Sequence, residues 1–347
     1  MACDTDTVQQ TPPIASVDYN KCNELIALIE AYGNFPLDIE DPISMKLPKA
    51  LLGMVNFISV GINHQTTPIF GVKLTGIIDG KPCRGWDYLW RRLIRLAEES
   101  PRRFTPEYLR GMTTGLLAEL LADGQGGGVI GGVARRAELV ADMGEVMLRE
   151  GLQQINDLYF RADRWLIRDG GLGLRERLKM FQAYGTDPIE KKISYFLAIQ
   201  RNSCAWEYRD EANMQFPVNY HDTRIMLRVG VVKILDPILR QKMIQGESVT
   251  VSEDLAVRKA IKEAVEYIAT GLGISQSRVH YAIWNHSRNC CSIDTTHCNT
   301  CPETCKLPVR YRVEGIHACF FATVCESKGL NPADMLREHN LPDNEWY

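Results

Sequence analysis

The chain of 347 residues lacks several features that would settle its class at once. It has no apolar run of the ~18 residues that a membrane span needs, and its first 18 residues contain neither the basic region nor the apolar stretch of a secretory signal. The glycine-rich run 124–132 is not followed by the Gly-Lys-Ser/Thr of a phosphate-binding loop. The formal net charge is only −3, so global charge attracts neither nucleic acid nor an anionic membrane. We therefore expect a cytoplasmic or nucleoid-associated globular protein without a membrane partner.

Segments of alternating polar and apolar residues are also scarce, which predicts an all-α fold. A helix is expected from Asn23 to a stop at Gly33, and a hairpin or loop at 69–84. Residues 1–17 read as a disordered tail. Further helices are predicted at 48–62, 86–98, 105–122, 135–150, 151–162, 173–183, 188–200, 221–235, 253–271 and 275–286.

Cysteine, in contrast, is abundant: the chain has 11 residues of it. Five lie between Cys290 and Cys305, and Cys319 and Cys325 follow close behind. Read from Cys291, the spacing is C-x6-C-x2-C-x3-C through Cys298, Cys301 and Cys305. Thiolates this close in sequence can surround an iron–sulfur cube or a zinc ion, and a reducing compartment favours metal over disulfides. Cys290 is a spare candidate for a ligand position. The alternative is that these cysteines are ordinary buried or disulfide-bonded thiols.

Three segments carry a resemblance to a known family. Trp284-Asn-His-Ser-Arg-Asn leads into the cysteines, Val218–Gly230 reads VNYHDTRIMLRVG, and Ile58–Thr67 reads ISVGINHQTT. In their order along the chain, from 58–67 through 218–230 to the cysteine loop, they resemble the endonuclease III-like helix-hairpin-helix DNA glycosylases. In that family the cysteine pattern is C-x6-C-x2-C-x5-C. The segment that corresponds to 218–230 reads V-D-T-H-x-x-R-V-x-x-R-x-G, and the segment that corresponds to 58–67 carries a glutamine at its end.

The chain departs from the family pattern at three places. Asn219 stands where the family keeps its catalytic aspartate, and Cys305 comes two residues early. The hairpin L-P-G-x-G is reduced to Tyr184–Lys192, which keeps one glycine and a basic pair.

The resemblance implies two lobes, with residues 18–55 and 219–347 in the iron–sulfur lobe and 56–218 in a helical lobe with a degenerate hairpin. It also implies a monomeric DNA glycosylase that flips a modified or damaged base out of double-stranded DNA and excises it hydrolytically. The departures suggest a bulky modified base, such as those of phage DNA, and hence a role in defence. The alternatives are a catalytically inactive DNA-binding protein that recognises lesions, and a metal-cluster enzyme acting on nucleosides or RNA.

The family's positions and the carboxylates beside them give the candidate site residues. The catalytic candidates are Asn219, Asp222 and Lys192, with Asp187 as a further carboxylate. The DNA-binding candidates are Gln65, which would fill the gap left by the flipped base, and His64, Lys191 and Arg224. A structural cluster of the [4Fe–4S] type is expected on Cys291, Cys298, Cys301 and Cys305, with zinc as the other option. Because the carboxylate at position 219 is missing, we expect a monofunctional enzyme that leaves abasic sites without nicking the strand.

Several of these residues have an ordinary structural alternative. Asn219 can cap a helix N-terminus with Asp222 completing a capping box. Gln65 can face solvent at a helix C-terminus. Lys191 and Lys192 can be solvated charges on a helix surface.

Overall fold

The computed structural model describes residues 13–31, 47–66, 73–204, 206–301, 307, 312, 315 and 318–346. The described chain is mostly helical, which confirms the helical fold class. The helices are α1 (Tyr19–Ala31), α2 (Lys49–Gly61), α3 (Gly85–Glu99), α4 (Pro106–Arg110), α5 (Thr114–Leu121), α6 (Val133–Arg149), α7 (Ile155–Arg161), α8 (Leu174–Leu178), α9 (Gln182–Gly185), α10 (Lys191–Cys204), α11 (Tyr220–Val229), α12 (Pro237–Gln245), α13 (Val251–Gly271) and α14 (Gln276–Cys290).

Two hydrophobic cores divide the described helices. The first core draws its buried residues from 52–214, where α2 packs against α3 and α10, and α4 and α5 pack against α6. The second draws them from α1 and from 189–341, with α1 against α13 and α11 against α14. Tyr195 of α10 packs against both cores, so the N-terminal half of α10 lies at their junction.

The described strands are short and form two pairs. β2 (Thr75–Ile78) and β3 (Lys81–Arg84) make an antiparallel hairpin, within the segment 69–84 for which a hairpin or loop was predicted. β1 (Ala15–Val17) pairs antiparallel with β4 (Val232–Ile234). The expected disordered tail is therefore wrong for residues 15–17, because a partner strand more than 200 residues later takes up their backbone hydrogen bonds. Residues 1–12 lie outside the described part of the chain.

Three predicted helices end differently in the structure. The segment 105–122 is broken after Arg110, because Thr113 starts a new helix by accepting a hydrogen bond from Leu116 N. The segment 173–183 likewise splits into α8 and α9. The segment 221–235 ends at Gly230, whose φ of +98° stops α11 ahead of β4. Glycine accepts this left-handed conformation without the steric penalty of a side chain.

The C-terminal segment, residues 339–346, contacts helices of both cores. Glu345 forms an ion pair with Arg135 of α6 at 2.6 Å, and the ring of Trp346 lies 5.7 Å from the guanidinium of Arg258 in α13. His339 Nε2 lies 3.0 Å from a carboxylate oxygen of Asp254, also in α13. The last described residues therefore connect the two halves of the molecule.

No helix within the described ranges has both the length and the apolar character to cross a membrane.

Candidate functional site

The N-terminus of α11 is closed by a capping box. Asn219 Oδ1 accepts hydrogen bonds from His221 N at 2.8 Å and Asp222 N at 3.2 Å, and Asp222 Oδ2 accepts one from Asn219 N at 3.2 Å. The structural alternative for Asn219 is thus confirmed. The amide nitrogen Nδ2 of Asn219 donates to no residue in the described part of the chain, and the side chain keeps 9% of its surface exposed. Asn219 can therefore cap the helix and still offer one donor group outward.

Asp222 is a fully buried carboxylate beside a histidine. His280 Nδ1 lies 3.2 Å from Asp222 Oδ2, while Asp222 Oδ1 has no hydrogen-bond partner among the described residues. The rings of Phe216 and Tyr195 flank the imidazole at 5.2 and 6.3 Å. Burial raises the pKa of Asp222, and the charges of His280 and Lys191 act against that rise.

Lys191 is the basic residue of this group. It is 5% exposed, its Nζ lies 5.6 Å from the centre of the Tyr195 ring, and no hydrogen-bond acceptor is found for Nζ among the described residues. Burial lowers its pKa to about 8, against the stabilising charges of Asp187 and Asp222. At neutral pH about a tenth of such an amine is unprotonated and can act as a base or a nucleophile.

Lys192 points in another direction. Its Nζ donates to Gly61 O at 2.6 Å, and the side chain is fully buried. Burial and the charges of Lys191 and Arg136 hold its pKa well below the ordinary value. Lys192 therefore joins α10 to the C-terminal end of α2, and Lys191 is the lysine whose charge Asp222 stabilises.

The end of α2 is held from inside the protein. Arg136 donates to the carbonyl oxygens of Ile62 and His64. His64 is 4% exposed, and burial together with the charges of Arg136 and Lys192 lowers its pKa. Gln65 follows with a half-buried side chain and a φ of +47°. Of the two residues predicted to contact DNA here, Gln65 has the more accessible side chain, while the imidazole of His64 lies inside.

The turn before α10 is fixed by a buried ion pair. Asp187 accepts two hydrogen bonds from Arg258 at 2.9 and 2.8 Å, and further ones from Ile189 N at 3.0 Å and Lys191 N at 2.8 Å. Both carboxylate oxygens of Asp187 are thereby engaged in holding the turn. This carboxylate therefore sets the direction in which α10 leaves the turn.

Two arginines of α11 hold the start of the cysteine loop. Arg224 is 2% exposed and donates to Cys291 O at 2.8 Å and Glu338 Oε1 at 2.7 Å. Arg228 donates from Nη1 to Ser292 O at 2.7 Å and to Cys291 Sγ at 3.3 Å. Arg224, predicted to contact DNA, is engaged inside the protein. A cationic donor at Cys291 Sγ suits a thiolate or a metal-bound sulfur.

The described cysteines of the loop form no disulfide bonds. Cys290 and Cys291 are buried, Cys298 and Cys301 are half-buried, and none of the four forms a disulfide. Cys305 lies outside the described residues. As placed, no three Cys, His, Asp or Glu side chains in the described ranges converge closely enough to hold a metal ion. The fit to a metal centre rests on the number of cysteines outside disulfides and on the guanidinium of Arg228 at Cys291 Sγ.

Aromatic side chains surround the polar group. Trp86 of α3 packs edge-on against Tyr195 at 5.3 Å, and both are half-buried. Trp284 lies 6.0 Å from the His221 ring and carries the guanidinium of Arg288 at 5.0 Å. Half-exposed rings beside a buried polar group can stack on a planar ligand such as a base.

The structure thus joins Asn219 and Asp222 in one capping box and places Lys191 where the charge of Asp222 acts on it. It places Lys192, His64 and Arg224 in supporting contacts. His280, Tyr195 and Arg136 were not anticipated. His280 has no sequence signal that links it to Asp222, because 57 residues separate the two. Arg228 could have been anticipated, since it is the second arginine of the Val218–Gly230 motif.

Comparison with known proteins leaves the family undecided. A scan against protein-family models matches nothing in this chain, and a search of curated proteins returns no significant match.

Proposed function

We propose that this chain is a DNA N-glycosylase that flips a modified or damaged base out of double-stranded DNA, hydrolyses its glycosidic bond and leaves an abasic site. A bulky modified base, such as those of phage DNA, is the proposed substrate, with defence as the role. The observation that carries the proposal is the meeting of segments far apart in sequence. Hydrogen bonds join the end of α2 to α10 and the start of the cysteine loop to α11. His280 lies between the two pairs, beside Tyr195 of α10 and Asp222 of α11.

The chemistry of the site is compatible with this reaction. Breaking the glycosidic bond builds positive charge on the sugar, which a carboxylate such as Asp222 stabilises through space. The outward amide donor of Asn219 can bond the flipped nucleotide or a water molecule. Lys191, with its pKa near 8, can accept a proton from that water. Trp86 and Tyr195 supply ring surface on which the extruded base can stack.

A [4Fe–4S] cluster on the cysteine loop is part of the proposal. In such a protein the cluster cross-links the loop and takes no part in redox turnover. Arg224 and Arg228 would then connect the cluster loop to α11, the helix that begins at the catalytic position. Anaerobically purified protein should be brown, with roughly four irons per chain. Stoichiometric zinc without iron would overturn this part.

A second candidate is a DNA-binding protein without catalytic activity. It is favoured by Asn219, which is neutral and already occupied in the capping box, and by Asp222, which has no exposed surface. In this case Trp86 and Tyr195 still stack on an extruded base, and no bond is broken.

The test is to incubate the protein with duplexes that carry alkylated, hydroxymethylated or glucosylated bases, and with the matching free nucleosides. Free base is measured by mass spectrometry, and binding by gel shift. Base released from duplex supports the glycosylase. Binding of a modified duplex without release supports the second candidate, and release from nucleosides alone indicates a nucleoside hydrolase. Lys191→Met should abolish release, while Lys259→Met, at an exposed position of α13, serves as the matched control.

A further inference from the structure

Two cysteines outside the predicted ligand set lie with the cysteine loop. Cys319 is 7% exposed and Cys325 is half-buried, and neither forms a disulfide. Hydrogen bonds connect both residues to the part of the loop that carries Cys291 and Cys298.

Backbone hydrogen bonds place Cys319 beside Cys298. His297 N donates to Cys290 O at 2.8 Å, and Cys319 N donates to His297 O at 2.9 Å. The chain thus passes Cys298 and comes back to the same place at Cys319. The described residues on either side of 299–318 therefore lie at neighbouring points, as the two ends of an insertion in a loop do.

Cys325 is connected to the same arginine as Cys291. Arg228 donates from its guanidinium to Cys291 Sγ at 3.3 Å, and its main-chain oxygen accepts from Cys325 Sγ at 3.2 Å. The same oxygen also accepts from Ser327 N at 3.1 Å. If Cys325 lost its proton to bind a metal, Arg228 O would keep the hydrogen bond from Ser327. Ligation by Cys325 therefore leaves no buried acceptor without a donor.

The spacing of these four cysteines agrees with the geometry. Cys291 and Cys298 are separated by six residues, and Cys319 and Cys325 by five. These are the first and last intervals of the C-x6-C-x2-C-x5-C pattern, so the extra length falls in the x2 interval. The alternative with Cys301 and Cys305 leaves a last interval of three. It also leaves two grouped thiols, at 319 and 325, without a role.

We propose that Cys291, Cys298, Cys319 and Cys325 are the ligands of the metal centre, and that residues 299–318 are an insertion between the second and third ligands. Cys301 and Cys305 then belong to the insertion and are not ligands. The assignment rests on the proposed metal centre and changes its ligand set. Because no three of the described Cys, His, Asp or Glu side chains already meet around a single ion, loading the metal would draw the four thiols together.

The first test is metal content in single variants. Cys319→Ala and Cys325→Ala should lose the iron and the brown absorbance, as Cys291→Ala and Cys298→Ala should. Cys301→Ala, Cys305→Ala and the buried neighbour Cys290→Ala should keep the wild-type iron content. Iron and zinc per chain are measured after anaerobic purification, with circular dichroism to check folding. Metal retained in Cys319→Ala or Cys325→Ala, or lost in Cys301→Ala or Cys305→Ala, overturns the ligand set. Wild-type protein with neither metal overturns the metal centre itself.

The second test needs no variant and so does not depend on folding. Cys301 and Cys325 are both half-buried, so exposure alone predicts similar labelling of the two thiols by N-ethylmaleimide. In metal-loaded wild-type protein, Cys301 should react while Cys325 is protected, and Cys325 should become reactive after chelation. Peptide mass spectrometry gives the labelled fraction at each position. Equal labelling of both before chelation, in protein shown to contain iron, contradicts the assignment while leaving the proposed enzyme untouched.

Discussion

Substitutions at Asn219 separate its two roles, because its two side-chain atoms do different things. Oδ1 accepts the two backbone donors at the start of α11, and Nδ2 is left for a ligand. Asn219→Ser keeps an oxygen that caps a helix about as well as asparagine, but it removes the amide donor. Asn219→Ala removes both. Comparing the two variants therefore isolates the donor from the cap.

The magnitudes follow from the two contacts. Loss of the cap in Asn219→Ala should cost about 1 kcal/mol of folding free energy. Against a typical total of roughly 5–15 kcal/mol, that leaves the folded fraction near unity. Asn219→Ser should stay within a few tenths of a kcal/mol of wild type. A neutral hydrogen bond from Nδ2 to the nucleotide is worth about 0.5–1.5 kcal/mol, which corresponds to a two- to twelve-fold loss of single-turnover rate in both variants.

The assay is single-turnover base release from a duplex substrate, with stability measured by urea denaturation on the same samples. We expect both variants to lose base-release rate to a similar extent, and Asn219→Ala to be less stable than Asn219→Ser. If Asn219→Ser releases base at the wild-type rate, Nδ2 has no role and Asn219 serves only as a cap. Asp222→Asn should then lose more activity than Asn219→Ala, because the sugar cation would depend on the one carboxylate that remains.

Three further predictions concern the neighbouring residues. Gln65→Ala should unfold at the wild-type temperature, because the side chain is half-buried and makes no hydrogen bond among the described residues. Its activity should fall more on duplex than on single-stranded DNA. An equal loss on both substrates would place Gln65 away from the gap left by the base. The product should be an abasic site that breaks only after alkali; a strand break without alkali, with a borohydride-trapped adduct at Lys191 or Lys192, contradicts the monofunctional reading. The pKa of Lys191 is about 8 in the folded protein, below its ordinary 10.5. Burying the charged amine therefore lowers the free energy of unfolding at and below pH 8, and this destabilisation disappears as the pH rises from 8 to 10.5. Lys191→Met should therefore raise the free energy of unfolding at pH 7 by up to about 3 kcal/mol, with no gain near pH 10.5; a gain that is independent of pH would show that Lys191 has an unperturbed pKa.

The features that the sequence predicted are those that depend on residues close together along the chain. The capping box joins residues three apart, so Asn219 and Asp222 predicted it directly. The apolar run 48–62 likewise predicted α2, which lies at Lys49–Gly61. The helix α12 was missed although its signals were present. Asp236 caps it, Pro237 opens it, and Gly246 ends it with a φ of +74°.

What could not be read was determined by distant partners. Whether Lys191 or Lys192 faces Asp222 depends on the rotation of α10 about its axis. That rotation is fixed by the pairing of Asp187 with Arg258, 71 residues away. The strand β1 exists only because β4 pairs with it. A backbone hydrogen bond to His297 places Cys319 beside the cysteine loop, and no pattern of neighbouring residues predicts that contact.

The C-terminal segment has a consequence for the effect of ionic strength. The Arg135–Glu345 ion pair connects the two halves, and its side chains are 37% and 26% exposed, so it contributes at most about 1 kcal/mol and weakens as salt screens it. Contacts between basic side chains and phosphates also weaken with salt. If the two halves must separate to admit a duplex, added salt eases the opening and reduces the affinity at the same time. Binding would then pass through an optimum at intermediate ionic strength.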